Sequence, residues 1–163
     1  MRARPLLLVD TNVWMCNYVP MRVGHEASQE FFRAAWESGA QLLYPVPILK
    51  DVFYLLGAEY KRQIRSEKGE LSQADASAVI ELAWGCVQNM RDVATAVGID
   101  ESDLWLACKY KAIDTDLEDN VVLAAAQRCE ADYLVTFDRD LIRKAPVSAM
   151  LPQDMVALLG LRT

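Results

Sequence analysis

The segment Leu6-Leu7-Leu8-Val9-Asp10-Thr11-Asn12-Val13-Trp14 constrains the fold more than any other stretch of the chain. Four consecutive apolar residues, if extended, need cover on both faces, which is the pattern of a strand inside a parallel sheet. An acid follows where that strand ends and a helix begins. Ligands of open α/β sheets bind at the carboxyl ends of the strands, so Asp10 is placed to act rather than to pack. The pattern recurs: Asp132-Tyr133-Leu134-Val135-Thr136 reads as a second buried strand, and Asp138 stands just past its end.

The rest of the composition narrows the setting of these two acids. With 163 residues, 53% of them hydrophobic, the chain can build one domain around its own core without a disulfide or metal staple. No linker, repeat or low-complexity tract divides it. The start, Met1-Arg2-Ala3-Arg4, is basic, but Asp10 cuts short the apolar run behind it. No apolar run approaches the ~20 residues of a membrane span, so a cytosolic protein is expected. Cys16, Cys86, Cys108 and Cys129 form no Cys-x-x-Cys pair and read as reduced thiols rather than zinc ligands. His25 is the only histidine, which removes the imidazole-based triads and dyads unless it serves in one, and no nucleophile motif lies near it. A net charge of −6 argues against a general electrostatic grip on nucleic acid, although clustered site acids supply part of that excess.

Between the two strands the periodicity predicts an α/β succession. Ala27, Phe31, Ala34 and Ala35 mark a helix over about 26–38, and Gln41–Tyr44 a short strand closed by Pro45 and Pro47. Ile48, Val52, Leu55, Leu56 and Tyr60 mark a helix from Val46 to about Arg65. Asp51 falls on that apolar stripe, where an unpaired charge needs a partner such as a cation. The plainer reading sets it at the stripe's edge, paired with Lys50 or Arg62. Arg65 to Glu70 reads as a loop. Ser72 and Asp75 then form a capping box for a helix to about Ala96, and Val97-Gly98-Ile99 reads as a short extended piece. Asp100 and Asp103 flank the start of another helix.

Thr115 and Glu118 read as the capping box of an almost uniformly apolar helix, Val121 to Ala126, whose first turn carries Asp116, Glu118 and Asp119. The helix dipole favours each acid there by ~0.3–1 kcal/mol, partly offsetting their repulsion. An edge strand within Pro146–Met150 and a helix over Gln153–Leu159 complete the expectation: a three-layer α/β fold with a mostly parallel sheet of 4–5 strands flanked by helices.

Strand ends carrying Asp10 and Asp138, with helices carrying Asp51 and Asp119 over the same sheet edge, can bring four carboxylates together. Like charges raise one another's pKa, so such a group calls for a divalent cation. Oxygen donors without histidine or cysteine point to Mg²⁺ or Mn²⁺ rather than zinc. A cation so held suits phosphodiester hydrolysis, since it activates water and screens the phosphate from the acids. Asn12 and Thr136 can orient a carboxylate or bind phosphate. Arg62, Arg65 and Lys68 near one tip, and Arg139, Arg143 and Lys144 beside Asp138, are candidates to meet an RNA backbone, against the alternative of a solvated charged face.

Taken together, Val9-Asp10-Thr11-Asn12, an acid on the helix after the second strand, Asp116-Leu117-Glu118-Asp119 before an Ala-rich helix, and Tyr133-Leu134-Val135-Thr136-Phe137-Asp138 resemble the PIN domain. Within it the chain is most similar to the toxin ribonucleases of toxin-antitoxin modules. The resemblance implies a single PIN-like domain over 1–163 and a metal-dependent endoribonuclease. Its acids would be Asp10, Asp51, Asp119 and Asp138, with Asp116 as an extra carboxylate and Mg²⁺ or Mn²⁺ on Asp10, Asp119 and Asp138. It also implies an RNA substrate, a homodimer, a cognate antitoxin and a cytoplasmic location. One departure matters: the family usually has Glu where this chain has Asp51, one methylene shorter. That keeps open a non-catalytic module binding RNA or protein. An aspartyl-phosphate phosphohydrolase also has an acid after its first strand, but its usual second Asp is replaced here by Asn12.

Overall fold

The computed structural model describes residues 4–161, so all of the basic start except Arg4 lies outside the described residues. The chain runs β1 (Leu6–Val9), α1 (Thr11–Tyr18), α2 (His25–Glu37), β2 (Gln41–Pro45), α3 (Val46–Lys68), α4 (Gln73–Val93) and β3 (Thr95–Val97). It continues α5 (Glu101–Tyr110), α6 (Leu117–Arg128), β4 (Tyr133–Val135), α7 (Arg139–Lys144), β5 (Ala149–Met150) and α8 (Pro152–Gly160). The five strands form one parallel sheet in the order β3-β2-β1-β4-β5.

The two strands with continuous apolar sequence lie at its centre. Leu8 pairs with Leu43 on one side and Leu134 on the other, and Leu7, Leu8, Val9, Leu134 and Val135 are fully buried. Helices cover both faces, as right-handed crossovers require once the strand order reverses. α6 contributes an unbroken buried run from Val122 to Ala126. The chain leaves β1 toward β2 and β4 toward β5, in opposite directions, so the carboxyl ends of β1 and β4 flank the crevice where such sheets bind ligands. Asp10 and Asp138 stand at those two ends.

Several local expectations are corrected. The polar stretch Arg65–Lys68 is helical, not a loop: α3 continues to Gly69, which closes it in the left-handed conformation at φ 83°. Arg, Glu and Lys are good helix formers, so polarity alone does not end a helix. α4 stops at Val93 because Thr95–Val97 is drawn into the sheet beside β2. At the head of α6 the cap is Asp116 rather than Thr115, its Oδ1 accepting from the Glu118 and Asp119 amides. The α3 stripe is narrower than its periodicity: Ile48, Val52 and Leu56 are buried, whereas Leu55 is 45% exposed. Among the described residues no helix is long and apolar enough to cross a membrane.

Candidate active site

Asp10 ends β1 and caps α1 at once, so it is held from both directions. Its amide donates to Val135 O (3.0 Å), extending the ladder to β4 by one residue. Its Oδ1 accepts from the Thr11 amide (2.7 Å), and its Oδ2 accepts from Asn12 Nδ2 (2.8 Å) and Thr136 Oγ1 (2.7 Å). A carboxylate offers about four lone-pair sites, so one of them remains. Burial pushes the Asp10 carboxyl up to about 6, against the lowering effect of the Thr136 and Thr11 hydrogen bonds, with Glu118 and Asp138 adding repulsion.

Asn12 and Thr136 brace this acid and the loop beyond β4 together. Asn12 Nδ2 also donates to Thr136 Oγ1 (2.9 Å), while Asn12 Oδ1 accepts from the Phe137 amide (3.0 Å). Thr136 Oγ1 in turn accepts from the Asp138 amide (3.0 Å). Every polar atom of the Asn12 amide and the Thr136 hydroxyl is thereby engaged in setting Asp10 and the turn that carries Asp138. The Asp138 side chain caps α7, its Oδ1 accepting from Asp140 and Leu141 amides, and no donor among the described residues reaches its Oδ2.

Asp119, in the first turn of α6, is half-buried and its carboxylate meets no donor among the described residues. Burial first, then repulsion from Asp10, Asp116, Asp138 and Asp114, pushes it up to about 7. Asp10, Asp119, Asp138 and Asp116 are therefore close enough to act on one another. Asp51 does not figure among the leading charges acting on Asp10 or Asp119. Its side chain is 27% exposed and lies 3.8 Å from Lys50, the edge-of-stripe arrangement.

The basic candidates divide in the same way. Arg139 follows Asp138 directly, is exposed, and makes no ion pair among the described residues. Arg143 is paired with Asp140 and Lys144 with Asp114. Arg62 sits 4.0 Å from Glu59 and Lys68 2.7 Å from Asp75, while Arg65, exposed and unpaired among the described residues, lies roughly 21 Å along α3 from Asp51. One residue was overlooked in the sequence except as a capping acid: Glu118, whose Oε1 accepts from Thr11 Oγ1 (2.9 Å) and whose charge acts on Asp10. A hydroxyl next to Asp10 and an acid next to Asp119 were the only hints of that link.

The chemistry of this donor set fits a hard divalent cation. Two acids are pushed toward neutrality, their neighbours are acids, and no Lys, Arg or His is paired with Asp10, Asp119 or Asp138 among the described residues. Asp10 keeps one free lone-pair site, and Asp119 and Asp138 keep carboxylate oxygens that no donor among the described residues reaches. Among the described residues, however, no three acids, histidines or cysteines are drawn together as a ready-made ligand set.

Comparison with solved structures places this geometry in context. The fold is similar to Mycobacterium tuberculosis VapC20, a sarcin-ricin loop cleaving toxin, at a TM-score of 0.62 and 12% identity over 84% of this chain and 93% of that one. A chain of Rickettsia felis VapBC2, bound to a DNA fragment from its promoter, gives 0.61 and 9% over 90% and 98%. A chain of FitAB bound to the IR36 DNA fragment gives 0.56 and 14% over 90% and 95%. Such identities speak for a shared fold. No curated protein matches the sequence. Residues 6–140, a span that begins with β1 and ends just beyond Asp138, match the PIN domain family, and with that match this chain belongs to it.

Proposed function

We propose that this PIN domain is a metal-dependent endoribonuclease, the toxin of a toxin-antitoxin pair, acting on RNA phosphodiester bonds in the cytoplasm. The observation that carries the reading is the pair Asp10 and Asp119: acids raised to about 6 and 7 at the topological switch point, with no cationic side chain paired to either among the described residues. Asp10, Asp119 and Asp138 would hold Mg²⁺ or Mn²⁺, with Asp116 and Asp51 as outlying acids. The bound cation would supply a positive centre that favours ionisation of water and screens charge developing on phosphate.

This chain's own residues do the positioning. Thr11 N, Asn12 and Thr136 fix the Asp10 carboxylate through three hydrogen bonds, which also keeps its charged form accessible despite burial. Thr136 and Asn12 tie the Asp138 turn to the same frame. Arg139, exposed beside Asp138, is the arginine best placed to meet the RNA backbone, and Arg143, Arg62 and Arg65 extend that contact outward. VapBC2 and FitAB as structural neighbours support a cognate antitoxin here, and the homodimer that the family resemblance implies belongs to the same reading.

RNA cleavage by the purified chain is expected with Mg²⁺ or Mn²⁺, to stop in chelator, and to be abolished in Asp10→Asn and Asp119→Asn. Robust cleavage in chelator would overturn the metal mechanism. A second reading, a PIN domain that binds without cutting, is favoured by one observation: Asp51, standing where the family usually has Glu, lies against Lys50 instead of acting on the other acids. Titration with Mn²⁺ separates the two, since a binding-only domain needs no cation below millimolar concentration. The phosphohydrolase reading finds no support, because Asn12 is fully used in bracing Asp10 and Phe137.

A further inference from the structure

At the opposite end of the sheet from the carboxylates, a cavity of about 190 Å³ opens between α1, α2, α4 and the start of β2. Phe32 and Trp36 give it aromatic walls over the fully buried Trp14, and Asn17 and Asn89 place amides at its rim. Trp14 and Phe32 are packed ring on ring with centroids 4.6 Å apart, which fixes that wall, whereas Trp36 is 79% exposed with its face uncovered. The Trp14 indole N–H is buried with no acceptor among the described residues. A buried donor left unsatisfied is costly, so the floor of this cavity carries an unmet demand for an acceptor. Asn17 and Asn89 each have the carbonyl oxygen engaged, by Gln29 and by Tyr18, and no acceptor for the amide N–H₂ among the described residues.

A second cleft of about 390 Å³ borders the cavity, sharing Trp36, Ala40, Leu42 and Val93 with it, and is lined by Arg4 and Arg91. Both arginines are exposed and neither is in an ion pair among the described residues. Asp92 is the one acid in that lining. An aromatic slot with spare donors, bordered by two exposed guanidinium groups, matches a planar heterocycle joined to a phosphate.

We propose that this cleft is a nucleotide-binding site, taking a base against the exposed Trp36, above the buried Trp14 indole, and its phosphate on Arg4 and Arg91. Its open end lies away from the carboxylates: Leu42 pairs with Leu7, three residues before Asp10, or roughly 10 Å down the strand, while the buried Trp14 at its floor is one helical turn from Asp10. The proposal does not depend on the nuclease reading. The same chemistry is offered by a free nucleotide and by a nucleotide within a single RNA strand.

Calorimetric titration of the full chain in chelator, with AMP, adenosine and a short single-stranded oligoribonucleotide, distinguishes these sources. AMP is expected to bind at one site per chain, and Trp36→Ala to weaken it roughly ten-fold. Arg91→Gln should weaken AMP but not adenosine, and the Trp14 indole N–H resonance should shift on binding. Tighter binding of the oligonucleotide, with the same sensitivities, assigns the site to an RNA strand; equal or weaker binding assigns it to a free nucleotide. Trp36 is exposed, so its loss leaves the core intact and the test interpretable. No AMP or oligonucleotide binding at millimolar concentration overturns the proposal, as does binding indifferent to both variants. Binding lost in Asp119→Asn overturns it as well, since the ligand would then sit on the acids.

Discussion

The two ends of α6 treat a buried acid in opposite ways. At its last turn Arg128 reaches Asp103, which is 1% exposed, with Nε 2.7 Å from Oδ1, and also donates to Gly98 O. Asp103 spends its other oxygen on the Asp100 amide, closing the capping box of α5. At the first turn of the same helix, Asp119 and Asp10 are also withdrawn from water, yet their neighbours are Asp116, Asp138, Asp114 and Glu118. A buried carboxylate given a guanidinium fastens two helices. One whose charged neighbours are all carboxylates is held at a cost in stability, which a bound cation would relieve.

The sharpest way to break the comparison is pH. Unfolded, Asp10 and Asp119 ionise near 3.8; folded, they ionise near 6 and 7. Between those values the folded chain holds more protons than the unfolded one, so stability is greatest below about pH 4 on this account and is lost as pH rises through 6 and 7. The Asp10 shift alone corresponds to about 3 kcal/mol. Urea unfolding in chelator from pH 4.5 to 8 should show that decline, and saturating Mn²⁺ should remove it. A flat or rising profile in chelator contradicts the picture of uncompensated acids.

At the other end of α6 the sign reverses. Arg128→Met strands the Asp103 carboxylate in the core, and removing one partner of a buried pair typically costs 3–5 kcal/mol. Because Arg128 is partly exposed, about 2–3 kcal/mol is expected, read as a lower urea midpoint with an unchanged slope. Asp119→Asn, by contrast, should stabilise the metal-free chain at pH 8 by about 1–2 kcal/mol, with only a small part of that effect left near pH 4.5. Equal losses from the two substitutions would erase the distinction between fastening and functional acids.

How much of this was legible in the sequence follows the range of each interaction. Asp10 and Asp138 could be read because a buried strand and the acid after it are neighbours in the chain. The parallel sheet followed from the same apolar runs. The brace of Asn12 and Thr136 was foreseeable only as a capacity, since it joins residues 124 positions apart. The Asp103–Arg128 pair was invisible: Asp103 reads as a capping acid and Arg128 as an ordinary last-turn cation until α5 and α6 pack together. Asp51 shows the reverse error. Helical spacing set it on the stripe, but the true buried face is narrow enough to leave it beside Lys50. The aromatic cavity draws on four separate elements and leaves no local mark.

The smallest effect separates two roles that one residue combines. Asp116 caps α6 through its Oδ1 and at the same time is one of the charges that raise Asp119. Asn is about as good an N-cap as Asp, so Asp116→Asn should hold overall stability within about 0.5 kcal/mol. The negative charge nevertheless disappears from beside Asp119, and the carboxyl of that residue should titrate below about 7 when followed by NMR. If its titration does not move while the helix stays intact, the repulsion comes from Asp10, Asp138 and Asp114 without Asp116, and Asp116 is left as a capping residue only.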